Sequence, residues 1–166
     1  MNARSIQQYV FSCGLLLLPA LLWNVALARF LPPAFAPAEF WRDIPYALTA
    51  TENTLRLLVF ALPFFMPLHV SGASQRAGMR VFSAGTLVYF ASWLALITAP
   101  SSLWSTSAIG FLAPAYTPIL WLAGLALLGR QLFWGSFYRW WMYLALSGLF
   151  LVAHVSHAVI VYARNY

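Results

Sequence analysis

Residues 140–162 read WWMYLALSGLFLVAHVSHAVIVY, a run without a single Asp, Glu, Lys or Arg. At ~1.5 Å per residue, a helix of this length crosses the ~30 Å hydrocarbon layer of a bilayer. Trp140, Trp141 and Tyr143 open it, and such rings, apolar bodies with a polar edge, favour the membrane–water interface. Four further runs resemble it. The spacing predicts membrane helices over about 9–31, 53–70, 81–99, 109–129 and 140–162, with an extracytoplasmic loop over 32–52. The expected fold is therefore all-α: one membrane domain over 1–166, a polytopic integral membrane bundle of five transmembrane helices.

Composition supports this reading. Of 166 residues, 63% are hydrophobic and 7% charged, against about 25% charged in a typical soluble domain, whose surface must be hydrated. All nine basic residues are arginines, and they punctuate the ends of the apolar runs instead of clustering on one face. That distribution suits topology determinants and interfacial anchors and excludes a nucleic-acid surface. The expected partners are the lipid bilayer and either a second copy of the chain or a subunit of a membrane complex. Arg4, Arg76, Arg80, Arg130 and Arg139 fall on one side of a five-span arrangement, while the loop after span three has no basic residue. The charge bias predicts a cytoplasmic N-terminus and an extracytoplasmic C-terminus in a bacterial inner membrane. Cys13, the one cysteine, permits no intramolecular disulfide.

Between spans, LPPAFAPAEFWRDIPYALTATENT holds four prolines and all three acids, which predicts an interfacial loop with a short surface helix. SGASQRAGMR, residues 71–80, reads as a polar turn. Pro63 with Pro67 and Pro114 with Pro118 predict kinks. Lipid gives helices no hydrophobic reason to associate, so small or polar residues at four-residue spacing mark packing faces. Ala20, Asn24 and Ala28 form one such stripe, with Asn24 expected in a packing hydrogen bond; Ala91, Ala95 and Ala99 form another.

Helical stepping along span five aligns Tyr143, Ser147, Phe150, His154, His157, Val161 and Arg164. Ionisable groups facing lipid are costly, so this polar stripe turns inward. With the N-terminus inside, His154 and His157 share a depth with Glu52, Asn53 and Arg56 at the head of span two. The candidate site is therefore Glu52, Asn53, Arg56, His154 and His157, joined by Trp104 and Tyr116. The residue types suit an anionic or metal ligand or a proton relay, because histidine titrates near neutrality and a carboxylate can orient its ring. His154 and His157 are the candidate metal or haem ligands, but a pair at i, i+3 without a third ligand is a weak metal signature, and the expectation is no cofactor. Structural alternatives are a capping box from Thr49 to Glu52 and an i, i+4 pair of Glu52 with Arg56.

Phe30, Pro32, Pro33, Pro37 and Trp41 resemble the loop pattern of the tryptophan-rich sensory protein family, membrane proteins that bind porphyrins and sterols, and Val159, Tyr162 and Arg164 fit a loose cholesterol pattern. About twenty residues intervene here before the second span, so the chain is not assigned to that family. The signatures of rhomboid serine proteases, HExxH metalloproteases and nucleotide loops are absent. The functional expectation is binding or transport of a small ligand or ion at an outer-facing polar pocket between spans two and five. The alternatives are a non-catalytic accessory subunit and a membrane enzyme using Glu52 with His154 or His157; an enzyme is the less expected.

Overall fold

The computed structural model describes residues 11–135 and 137–166, and among them every regular element is helical. Arg4 and the first two residues of the first expected span lie outside the described residues. Three helical stretches are long and apolar enough to cross a membrane: Cys13–Phe30, Ala73–Thr98 and Trp140–Asn165. Leu22, Val25, Leu87, Leu149 and Val152 are exposed, as suits a protein whose solvent is hydrocarbon.

The first stretch contains α1 (Leu18–Leu27) between 3-10 turns at Cys13–Leu17 and Ala28–Phe30. The proline-rich segment forms a 3-10 turn, Pro33–Phe35, and the short α2 (Pro37–Phe40). Helix α3 runs Tyr46–Ala61 and passes into a 3-10 turn at Leu62–Phe65. After α4 (Ala73–Thr98) come three short pieces, α5 (Leu103–Thr106), α6 (Ala108–Phe111) and α7 (Ala113–Tyr116), then α8 (Pro118–Leu128) and α9 (Trp140–Asn165).

Several boundaries differ from expectation. Helix α3 starts at Tyr46, not near 53, with Pro45 at its N-cap; the residue before a proline is pushed out of helical angles, so the helix does not begin earlier. Glu52 therefore lies in its second turn and closes no capping box with Thr49. The helix ends at Ala61 because Pro63 can donate no backbone bond. Residues 73–80, expected in a turn, form the first turns of α4; Ala, Gln, Arg and Met are good helix formers once Gly72 has been passed. The stretch expected to form the fourth span is segmented at Pro114 and Pro118, although Leu112 and Thr117 between the pieces keep right-handed helical angles.

Packing explains the rest. The alanine stripe of α4 is not its buried face, since Ala91 and Ala99 are exposed. Gly78, Phe82, Gly85 and Tyr89 face inward instead. A Cβ on Gly85 would lie 2.7 Å from the Leu120 Cβ, and one on Gly124 would lie 2.6 Å from the Phe82 Cα. Glycine thus lets α4 and α8 approach to backbone contact, where dispersion forces supply the attraction that hydrophobicity cannot. Helix α1 docks on α4 through the stacked rings of Trp23 and Phe90, 4.0 Å apart, and through the Tyr89 hydroxyl donating to the Asn24 side-chain oxygen at 2.6 Å. At the opposite end from Glu52, the Cys13 N–H donates to the Met66 carbonyl at 2.9 Å.

Pro63 also has a tertiary consequence. Its missing N–H is the one that would bond the Val59 carbonyl four residues back, and the buried Tyr143 hydroxyl of α9 donates to that carbonyl at 3.1 Å. Tyr143→Phe should therefore cost about 1 kcal/mol, and distinctly less in a Pro63→Ala background, where the helix supplies its own donor. Thermal unfolding of the four-protein cycle in detergent micelles checks this; equal losses in both backgrounds contradict it.

Candidate functional site

Helices α3 and α9 pack along one another, and the polar stripe of α9 faces inward: Tyr143, Ser147, Phe150, His157 and Val161 are buried and His154 is half-buried. Opposite the histidines lies Glu52, 0% exposed. A carboxylate in that position is tolerable only with charged or hydrogen-bonding partners on both oxygens. Its Oε1 takes the Arg56 guanidinium and His154 Nδ1, the latter at 2.8 Å, and its Oε2 faces His157 Nδ1 at 2.6 Å. Arg56 also donates to the Asn53 side-chain oxygen at 3.0 Å and lies over the Trp41 ring.

The proton inventory of this cluster follows from its geometry. His157 Nε2 lies 2.9 Å from the Phe40 carbonyl, which can only accept, so that nitrogen bears a hydrogen. One further proton then sits between His157 Nδ1 and Glu52 Oε2, as imidazolium with carboxylate or imidazole with carboxylic acid; in either form the two side chains sum to zero. Oε1 accepts from both Arg56 and His154. With Arg56 permanently charged, the cluster holds at least one net positive charge. The neighbouring acids do not cancel it: Glu39 and Asp43 pair with Arg42, and Arg164 caps the Arg42 and Glu39 carbonyls.

The proline-rich segment is part of the site. Phe40 and Trp41 hold the His157 ring between them, with centroids at 4.4 and 4.6 Å, while Phe35 stacks on Phe111 at 4.5 Å. Reading the sequence missed Phe40 and Trp41 as site residues; a backbone carbonyl leaves no trace in sequence, and the aromatic content of the segment was the one available sign. Arg164 lay on the stripe already, one helical step beyond Val161.

Beside the cluster is a cavity of about 690 Å³, within the range of small-molecule sites. Asn53, Arg56 and His154 line one end, the Asn24–Tyr89 pair lines another part, and aliphatic and aromatic side chains make up most of the remaining wall. Glu52 and His157 stand behind this wall rather than in it. Trp104 and Tyr116 are not brought to the site: neither lines the cavity, and the Tyr116 hydroxyl donates to the Ile109 carbonyl of its own segment at 3.1 Å. Among the described residues no group of three His, Cys, Asp or Glu side chains is arranged to hold a metal ion. Both nitrogens of His157 are already engaged, which leaves it no lone pair to offer a metal or haem iron while these bonds persist. His69 lies apart, beside Gln75 and Arg130.

The chain matches no protein-family model, no curated protein and no solved structure.

Removing Glu52 strands three donors. Glu52→Ala should destabilise the protein by about 3–5 kcal/mol, whereas Trp104→Ala and Tyr116→Phe should change it by less than about 1 kcal/mol. Thermal unfolding in one detergent compares them, and a Glu52→Ala protein as stable as wild type contradicts the buried cluster.

Proposed function

We propose that the chain is a five-crossing inner-membrane bundle that binds a small, largely apolar molecule in the cavity between its helices, with the polar end formed by Asn53, Arg56 and His154 towards the outer face. One observation carries this reading: an apolar cavity of about 690 Å³ ends in a preorganised set of polar side chains, the usual composition of a ligand site, in which apolar walls supply affinity and a few polar groups fix orientation. A cavity favours this reading over an accessory subunit, for which a filled bundle and a broad apolar docking face are expected.

Five crossings are supported by the stacking of α3 and α8 against the three long helices. Together, α3 and its 3-10 extension span Tyr46 to Phe65, and at ~1.5 Å per residue that approaches the hydrocarbon thickness. The arginine distribution supports a cytoplasmic N-terminus. A second reading, acid–base chemistry, is favoured by one feature: His154 lines the cavity while its Nδ1 is oriented by Glu52, as in carboxylate–histidine couples that abstract protons.

Two experiments test the proposal. In a Cys13→Ala background, a cysteine placed at Ser101 should react with a membrane-impermeant maleimide on intact cells, and one placed at Ser71 only after lysis; the reverse pattern contradicts the orientation. Native mass spectrometry of the protein released from micelles should show a bound small molecule, and Ala20→Phe, which pushes a ring into the cavity, should reduce its occupancy at least ~10-fold. A chain that never retains a ligand, or retains it equally in Ala20→Phe, contradicts the binding reading.

A further inference from the structure

Taking the cavity to be a binding site, as proposed above, we infer that its occupant is an amphiphile with an anionic headgroup, admitted from the bilayer through a gap between α1 and α3. The polar end of the cavity sets the charge of the headgroup, and the packing of the helices sets the route.

At the polar end, donors outnumber acceptors. Asn53, Arg56 and His154 line the cavity. Arg56 spends one N–H on Glu52 Oε1 and one on the Asn53 side-chain oxygen; its remaining guanidinium N–H groups, and the amide N–H groups of Asn53, have no acceptor among the described residues. The acceptors are already taken. The Asn53 oxygen receives Arg56, Glu52 Oε1 receives Arg56 and His154, and Glu52 Oε2 faces His157 behind the wall. Charge points the same way. The cluster carries at least one net positive charge, because the Glu52–His157 pair sums to zero and Arg56 is permanently protonated, and the other acids at this end, Glu39 and Asp43, pair with Arg42. A carboxylate or phosphate ester brings both the acceptor oxygens and the negative charge that this end lacks, and a cation attracts it far more strongly beside apolar walls than in water. A hydroxyl headgroup brings only the acceptor, and an ammonium brings neither.

The route follows from where α1 and α3 meet. They are tied at the Cys13 end, where the Cys13 N–H donates to the Met66 carbonyl and the Leu68 N–H to the Phe11 carbonyl, both at 2.9 Å. Beyond that point α1 leans on α4 through Trp23 and Asn24, while α3 is held to α9 through Val59 and Glu52, so the two part. Leu21 of α1 and Leu57 of α3 both line the cavity and yet are 37% and 69% exposed: the wall is open where they stand. In the five-crossing arrangement that opening faces hydrocarbon. Leu31, Phe35 and Phe40 of the proline-rich segment complete the wall towards the Glu52 end, an apolar rim unsuited to a hydrated ion. A hydrocarbon chain can thus slide in sideways between α1 and α3 with its headgroup level with Arg56.

Equilibrium binding in uncharged maltoside micelles tests the charge, with four amphiphiles of one chain length: an alkyl carboxylate, an alkyl phosphate, an alkyl trimethylammonium and an alkanol. Acetate and inorganic phosphate serve as headgroups alone. Both anionic amphiphiles should bind wild-type protein at least ~10-fold more tightly than the alkanol and the cation, and the free anions should compete weakly. Arg56→Gln should abolish this preference and Arg56→Lys retain it. Asn53→Ala, which leaves every bond to Glu52 in place, should weaken the anions several-fold and the alkanol not at all. Equal binding of anionic and neutral amphiphiles, or an anion preference undiminished in both Arg56→Gln and Asn53→Ala, overturns the inference while leaving a binding cavity. Inorganic phosphate binding as tightly as the alkyl phosphate overturns the bilayer source. For the route, Leu21→Cys and Leu57→Cys in a Cys13→Ala background, bridged by a bifunctional thiol reagent that reduction cleaves, should slow uptake of the alkyl carboxylate from liposomes several-fold, and reduction should restore it; uptake unchanged by the bridge overturns the lateral gap. If no amphiphile binds, the cavity reading itself fails.

Discussion

A fully buried carboxylate organises this protein. Glu52 sits in the second turn of α3 with no exposure to solvent, and its two oxygens draw in Arg56 from the same helix and both histidines of α9. Desolvating a carboxylate costs several kcal/mol, which only close, hydrogen-bonded partners offset. The requirement propagates outward. His157 must turn its other nitrogen to an acceptor, and the Phe40 carbonyl fills that role, which draws the proline-rich segment over the end of the bundle. Arg164, farther along the same stripe, fastens that segment through the Arg42 and Glu39 carbonyls. What the sequence presents as a connecting loop is in the folded chain a cover over the buried cluster.

A second, apolar constraint works from the opposite wall. Gly85 and Gly124 bring α4 and α8 to backbone contact, and the Asn24–Tyr89 bond ties α1 to α4. Where these contacts draw helices together and the Glu52 cluster holds α3 against α9, space is left between the two pairs. The cavity is thus a consequence of two tight interfaces that do not share a centre. Pro63 contributes in the same sense. By removing a donor it frees the Val59 carbonyl for Tyr143, so a break in α3 becomes a fastening to α9.

Much of this arrangement was legible in the sequence, for specific reasons. Apolar run length locates the long helices because hydrocarbon thickness sets their minimum, and helical stepping from His157 identifies the polar stripe because a fixed periodicity relates sequence to face. Asn24, the one amide in mid-span, signalled an interhelical bond. The glycine contacts are not legible there because alanine at four-residue spacing looks equally suited to close packing; nothing in Ala91 or Ala99 reveals that they are exposed. The start of α3 was misplaced because Glu52 looks like a cap and is instead a buried charge, a distinction that depends on a partner about a hundred residues away. Trp104 and Tyr116 were grouped with the site by depth alone, and depth does not specify azimuth around a bundle.

The central claim is that one proton is shared between Glu52 and His157 inside the bundle. Nitrogen-15 and proton magnetic resonance of histidine-labelled protein in lipid addresses it directly. The account predicts that His157 shows a hydrogen fixed on Nε2 and a strongly deshielded, exchange-protected proton at Nδ1, and that this last signal vanishes in Glu52→Ala. Tautomers of His157 in rapid exchange with water, unaffected by the loss of Glu52, would contradict it.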